Sequence, residues 1–128
     1  MKKDTILVPW DFTKVTENAL LHAIKLSTHL NNKVQLIHIV KTDKQKEEAE
    51  KKIKEDIEKL SAKYHISLEP VVRVGSLFHE ISDYASKGNV SIVVMGTHGI
   101  KGVQKLTGSW ALKVIVGSKV PFIVVQGP

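Results

Sequence analysis

The sequence predicts one α/β domain: a doubly wound, five-stranded parallel sheet with strand order 3-2-1-4-5 and helices on both faces. Short apolar runs rich in β-branched residues alternate with segments of helical periodicity, the pattern of right-handed βαβ units. The 128 residues suit a single domain over 1–128, and the 42% hydrophobic share is ordinary for a folded protein. The domain stands alone or forms one half of a tandem pair.

Five segments are predicted to be strands. Four are short runs bounded by turn or charged residues, as expected of strands buried in a parallel sheet: Ile6 to Val8, Val34 to Val40, Ser91 to Met95 and Phe122 to Val125. The fifth, 68–74, contains Pro70, which cannot donate a ladder hydrogen bond. This strand is therefore predicted to lie at an edge of the sheet.

Four helices are predicted between the strands. The first two present one apolar stripe each: Leu20, Ala23, Ile24 and Ser27, then Ala49, Ile53, Ile57, Leu60 and Tyr64. The third begins after Ser76 as N-cap, buries Leu77, Ile81, Tyr84 and Ala85, and stops near Gly88. The fourth runs from Ser109 to about Val116, with Gly117 as C-cap.

Composition excludes several classes of function. The formal charge is +6, but Arg73 is the only arginine among 19 basic residues, and aromatic residues do not interleave with them. Specific nucleic-acid readout is therefore disfavoured. The absence of cysteine argues against disulfides and thiolate catalysis, and no apolar run has the length of a signal peptide or membrane span. The protein is expected to be cytoplasmic, with no membrane partner.

The predicted strand order reverses between strands 1 and 4, and open α/β sheets bind ligands in the crevice at such a reversal. Pro9, Trp10 and Asp11 follow strand 1 there, and a loop with Gly96, Gly99, Gly102 and Gly108 follows strand 4. Glycines let backbone N–H groups approach an anion, and Ser109 adds a hydroxyl at a helix start, where phosphate is favoured. The alternative is that the glycines only make turns and Ser109 only caps a helix.

Known phosphate motifs and catalytic sets do not fit this crevice. The chain has neither a Walker-type loop nor the Gly-x-Gly-x-x-Gly turn of dinucleotide-binding domains. Asp11 is the only acidic residue predicted there, which is too little for paired acid and base catalysis. His22, His29, His65 and His79 lack the spacing of a metal site. An enzymatic role is not expected.

Three segments in matching order resemble the universal stress protein family over essentially the whole chain. They are Ile6-Leu7-Val8-Pro9-Trp10-Asp11-Phe12-Thr13, the strand Leu36-Ile37-His38-Ile39, and Met95-Gly96-Thr97-His98-Gly99 through Gly108-Ser109. The resemblance implies an adenine nucleotide alpha hydrolase-like fold. ATP-binding members have Gly, two residues, Gly, nine residues, Gly, then Ser or Thr. Here eight residues, 100–107, separate Gly99 from Gly108, and the bulky Trp110 follows Ser109.

The resemblance also implies site residues. Asp11 would lie near the ribose or a metal, the backbone of Ile39 would meet the adenine edge, and Met95 would line the base pocket. Gly96, Gly99, Gly108 and Ser109 would hold the phosphates, with His98 as a further phosphate contact, while Pro9 and Trp10 would form the crevice wall. The alternatives are that Asp11 makes or caps a turn, that His38 is a core histidine with its hydrogen bonds satisfied, and that Trp110 shields the site, blocks it or faces the core.

The implied function is a stress-response sensor or regulator that binds ATP, with Mg²⁺ as its counter-ion. The alternative is a nucleotide-free dimerisation and docking module whose shortened loop does not admit ATP; cyclic AMP in the same pocket is a third possibility. The uncharged strand 122–125 would form an unpaired sheet edge, a hazard that proteins cover. A homodimer through 122–126, or a tandem second domain, would cover it.

Overall fold

A computed structural model describes residues 3–96 and 119–125 of the chain. Within these ranges three helices connect four of the five strands. The strands are β1 (Thr5–Pro9), β2 (Lys33–Val40), β3 (Leu68–Val74), β4 (Val90–Gly96) and β5 (Phe122–Val125), and the helices are α1 (Lys14–Leu30), α2 (Asp43–Tyr64) and α3 (Leu77–Lys87). The predicted fourth helix lies outside the described residues.

All neighbouring strands pair in parallel, and the order is β3-β2-β1-β4-β5, as predicted. Helices α1 and α2 cover one face, and α3 covers the other. Pro70 lies in the edge strand β3, beside Leu36 of β2. The reversal between β1 and β4 is therefore present, and the carboxyl ends of these strands lie next to each other.

The core follows the two-residue alternation of the central strand. Ile6 and Val8 of β1 pack with Leu20 of α1 and Ile53 of α2, whereas Leu7 packs with Ile81 of α3 on the opposite face. These side chains are essentially inaccessible to solvent. The apolar runs of the sequence therefore correspond to strands covered on both faces.

Local signals at the helix ends match the structure. Thr13 caps α1 and accepts a hydrogen bond from the Thr16 N–H, while Asn31 ends the helix in the left-handed conformation. The third helix begins after Ser76 and ends at Gly88, as predicted. Phe78, which the sequence analysis left out, is the largest buried side chain of this helix, whereas Leu77 and Tyr84 are only partly buried.

A polar contact connects α1 to the carboxyl end of α2. The Tyr64 hydroxyl and the Lys63 ammonium both donate to Oε2 of Glu17. The hydrogen bond from Tyr64, followed by that from Lys63, lowers the pKa of Glu17, and the same contact raises the pKa of Tyr64. The carboxyl end of α2 is thereby attached to α1.

On the other face, Arg73 of β3 holds α3. Its guanidinium reaches Glu80 at 3.0 Å and Asp83 at 3.0 Å. Lys87 also contacts Asp83, and the hydrogen bond from Lys87, with a smaller contribution from Arg73, lowers the pKa of Asp83. The one arginine of the chain is thus used between two elements of the fold.

Candidate functional site

The end of β1 makes room for a crevice on its β4 side. The Trp10 N–H donates to the Ile37 carbonyl of β2 at 2.7 Å, so strand alternation points the backbone groups of Pro9 toward β4. Pairing between β1 and β4 ends at Leu7 with Val93. Since proline has no N–H, Pro9 offers no donor with which that ladder could continue.

The side chain of Trp10 belongs to the core. The indole is 4% exposed, packs in the cluster under α1 and α2, and donates from Nε1 to Asp56 of α2 at 3.2 Å. The ring therefore fixes the end of β1 against α2. Its predicted role in the crevice wall stays a prediction.

Asp11 organises the turn between β1 and α1. Its Oδ1 accepts from the Thr13 N–H at 3.1 Å, from the Thr13 hydroxyl and from the Thr16 hydroxyl at 3.0 Å. The turn-forming alternative is therefore present in the structure. All three bonds end at Oδ1, so Oδ2 keeps its acceptor capacity for the ribose or metal role that the resemblance implies.

Phe12 lies in the left-handed region at φ 69°, an uncommon conformation for a bulky residue. Its ring meets the His38 ring edge-on, with centroids 4.9 Å apart, and carries the Lys52 ammonium 4.3 Å from its centroid. His38 in turn donates from Nδ1 to the Trp10 carbonyl at 2.7 Å. Nδ1 of His38 thus has a hydrogen-bond partner, as expected, but the side chain is partly exposed at the carboxyl end of β2 and not in the core.

The backbone of Ile39 faces the space beyond β1. The Ile37 carbonyl bonds to Trp10 on the β1 side, and the Val40 carbonyl accepts from Gly75 on the β3 side. Alternation along β2 therefore turns the N–H and C=O of Ile39 toward β1, whose pairing with β2 has already ended at Pro9 and Ile37. A donor and an acceptor thus lie side by side where no strand pairs with them.

A cavity of about 530 Å³, here called the α2 cavity, opens at this point. Phe12 lines it from the turn after β1, His38 and Ile39 from the carboxyl end of β2, Lys41 from the residue after β2, and Gln45 and Lys52 from the first three turns of α2. Its size is within the range of small-molecule sites. Its lining combines aromatic rings, backbone groups, two ammonium groups and the carboxylate of Glu48.

The end of β4 completes the described part of the crevice. Met95 is fully buried, and Gly96 is the last residue of the strand. A Cβ added at Gly96 would lie 2.7 Å from Cγ1 of Val15 and 3.2 Å from its carbonyl oxygen. Glycine is thus required for β4 to end directly against the first turn of α1.

Replacing Gly96 by alanine is expected to lower the free energy of unfolding by roughly 1–3 kcal/mol, because the new methyl group must displace Val15 and the start of α1. Chemical denaturation of both proteins measures the difference. Gly88→Ala is the comparison variant, since a Cβ there also makes a tight contact, 3.1 Å to the Tyr84 carbonyl oxygen, but a longer one than the 2.7 Å at Gly96. An effect at Gly96 no larger than that at Gly88 would contradict the prediction.

The family model for the universal stress protein family matches residues 3–126. The chain belongs to this family. Universal stress protein MJ0531 of Methanocaldococcus jannaschii is 26% identical over 140 aligned positions, which cover 96% of this chain and 82% of that protein. The predicted family is therefore confirmed.

Solved universal stress proteins share the fold. One in complex with cAMP superposes with a TM-score of 0.74 at 18% identity, covering 100% of both chains. Another, from Archaeoglobus fulgidus in complex with dAMP, gives a TM-score of 0.72 at 20% identity, covering 97% of this chain and 98% of that one. At these identities the likeness concerns the fold.

The structure therefore brings part of the predicted universal stress protein site together. Pro9, Asp11, Ile39 and Gly96 lie at the same carboxyl edge of the sheet, with Met95 beneath it. The remaining predicted residues lie outside the described residues: His98, Gly99, Gly108, Ser109 and Trp110. Their predicted phosphate contacts, and the three alternatives for Trp110, stay predictions.

The sequence analysis missed the α2 side of this universal stress protein site. Phe12 was noted only as part of a motif, and Lys52 was not among the predicted site residues. No spacing rule connects a turn after β1 with the third turn of α2. One signal was available in the sequence. Phe12 occupies a turn position between Asp11 and Thr13, where a small residue would be more usual, so its ring could be expected to have a contact of its own.

Within residues 3–96 and 119–125, no group of three or more His, Asp or Glu side chains could hold a metal ion. In the same part of the chain, no helix is both long and apolar enough to cross a membrane.

Proposed function

We propose that this universal stress protein binds an adenine nucleotide across the carboxyl ends of β1, β2 and β4 and acts as a nucleotide-dependent sensor or regulator. The observation that carries the proposal is the backbone of Ile39, whose N–H and C=O face the space beyond β1 at the α2 cavity. Adenine presents an acceptor, N1, next to a donor, the 6-amino group. A neighbouring backbone donor and acceptor complement that edge.

Two solved relatives support the choice of base. They are complexes with cAMP and with dAMP, ligands that share adenine and differ in the sugar and the phosphate linkage. The common element is the base, which is the part that Ile39 and the α2 cavity would hold here. Of the two ligands, cAMP is the one that the sequence analysis gave as an alternative to ATP in the same pocket.

The crevice suits the remainder of ATP with Mg²⁺. Oδ2 of Asp11 offers an acceptor for ribose or for a metal-bound water, and Gly96 starts the glycine-containing segment without a side chain. Magnesium would enter with the nucleotide as its counter-ion, since it is commonly held by one or two carboxylates together with substrate phosphates. The proposed role is binding, and any hydrolysis would be slow and incidental.

Adding ATP with Mg²⁺ is expected to raise the melting temperature. At a concentration one hundred times Kd, a ligand that prefers the native state adds about 2.7 kcal/mol, or roughly 10 °C for a domain of this size. Differential scanning fluorimetry with ATP, dAMP and cAMP measures the shift, and triphosphate with Mg²⁺ is the control for the phosphate chain alone. No shift with any of the three nucleotides at millimolar concentration would reject the proposal.

A second candidate, assembly through β5, has an observation of its own. This strand ends the sheet, and its apolar side chains Ile123 and Val124 are 37% and 45% exposed. An unpaired apolar edge favours pairing with another strand. We propose a homodimer, or a tandem domain, that covers β5; the nucleotide-free docking module is the form of this candidate that binds no ATP.

The substitution Val124→Lys is expected to convert a dimer into a monomer, because a charged side chain on an edge strand opposes pairing. Sedimentation velocity at about 10 μM compares it with the wild type. Lys87→Ala, which removes one exposed ammonium on α3, serves as the control and should leave the association state unchanged. A wild-type protein that sediments as a monomer would exclude the homodimer.

A further inference from the structure

We propose that His38 reads the purine base in this site, accepting a hydrogen bond at Nε2 from the 6-amino group of adenine and so favouring adenine over 6-oxo purines. The inference rests on the proposed adenine-nucleotide function and names its specificity-determining side chain. It follows from how the imidazole is held at the mouth of the α2 cavity.

The hydrogen bond to Trp10 fixes the chemical character of the ring. A backbone carbonyl has no hydrogen to give, so at a separation of 2.7 Å Nδ1 must carry the proton. In the neutral ring the other nitrogen, Nε2, is then a lone-pair acceptor with no hydrogen. His38 lines the cavity, so this acceptor is the ring's remaining polar atom there.

Neighbouring groups also hold the ring in place before a ligand arrives. Phe12 packs edge-on against His38 with centroids 4.9 Å apart, and the Lys52 ammonium lies over the Phe12 ring. A side chain fixed on two sides loses little entropy when it accepts a hydrogen bond. His38 is thus preorganised.

Glu48 also lines the cavity, and its carboxylate is an acceptor, but it is exposed to solvent, whereas His38 is held by Trp10 and Phe12. The remaining polar side chains do not supply the same preference. Lys41 and Lys52 only donate and would favour the 6-oxo group of inosine or guanine. Oε1 of Gln45 already accepts from the N–H groups of Lys41 and Thr42. The 6-amino group has two hydrogens, so an acceptor beside the Ile39 carbonyl can take the second.

The test compares ATP with ITP, which carry the same ribose and triphosphate and differ in the 6-amino and 6-oxo groups. Dissociation constants are measured by calorimetry with Mg²⁺ at pH 8, where imidazole is neutral in water. The wild type is expected to prefer ATP. In His38→Asn the amide nitrogen replaces Nδ1 and keeps the donor to Trp10, but nothing replaces Nε2. The ATP to ITP preference should fall about fivefold, the equivalent of about one hydrogen bond.

Two further variants separate base reading from structure. His38→Gln places a polar atom near the Nε2 position and loses the donor to Trp10, so it should keep more of the preference than His38→Asn while melting at a lower temperature. A purely structural role predicts the opposite order. His79→Asn, at an exposed position on α3, controls for the substitution itself and should leave the preference unchanged.

The outcomes distinguish this inference from the function on which it rests. A wild type that binds ATP and ITP equally, or a His38→Asn protein with an unchanged preference, overturns the role of His38 while nucleotide binding stands. A wild type that binds neither nucleotide overturns both. A fall in preference confined to His38→Asn, with His38→Gln intermediate, supports base reading.

Discussion

Trp10→Ala is expected to lower the free energy of unfolding by about 3–5 kcal/mol, the range for deleting a large buried aromatic side chain. The indole is 4% exposed and packs in the cluster that joins the sheet to α1 and α2. Its removal leaves a cavity under the turn that holds Asp11, and Asp56 loses the indole donor. Urea denaturation followed by circular dichroism measures the change.

Trp10→Phe is the matched variant for this experiment. It retains an apolar ring and removes the hydrogen bond to Asp56, so its cost should be about 1–2 kcal/mol. The backbone carbonyl that accepts from His38 is retained in both variants. If the alanine and phenylalanine variants were equally stable, the burial of the ring would not be what fixes the end of β1.

Phe78→Ala is the second large effect, again about 3–5 kcal/mol. Phe78 is 2% exposed and packs on Met95, the fully buried residue before Gly96, with Leu77 and Phe122 around them. Truncation therefore removes the support beneath the end of β4, and ATP affinity should weaken along with stability. Denaturation and ATP titration of the same protein preparation measure both effects.

Phe78→Leu is the control, because it keeps most of the apolar volume and should cost less than about 1.5 kcal/mol. An exposed substitution on the same helix, His79→Ala, should stay within about 0.5 kcal/mol of the wild type. Loss of stability in Phe78→Ala without any change in ATP affinity would show that the end of β4 keeps its position without this ring.

The strands and helices could be predicted because the spacing of apolar residues within each segment shows which of its side chains are buried. Strand β3 and the limits of α3 were predicted at the right residues from Pro70, Ser76 and Gly88, which act locally. Phe78 was missed because it lies one position beside the predicted stripe, and its burial depends on Met95 across the interface. Periodicity describes a helix face, and it does not describe what packs against it.

The candidate site likewise has one part that the sequence predicts and another part that depends on packing between distant segments. Pro9, Asp11 and Gly96 could be predicted to lie together because the carboxyl ends of adjacent parallel strands must meet at one edge. The arrangement of Phe12, His38 and Lys52 was not predicted, since it requires a left-handed residue in one turn and a helix packed two elements away. For Trp10 the predicted place in the crevice wall stays a prediction, whereas the packing of its indole in the core was not predicted.

Helix α2 is held differently at its two ends. Near Tyr64 it is attached to α1 through Glu17, whereas Gln45 and Lys52, in its first three turns, line the cavity. Occupancy of that space would thus be felt in the first turns of the helix, at the end opposite to the Glu17 contact. The same turns expose the side chains of Lys44, Lys46 and Glu47 to solvent. A partner protein that contacts these side chains could therefore distinguish the ligand-bound from the ligand-free state without any movement of the sheet.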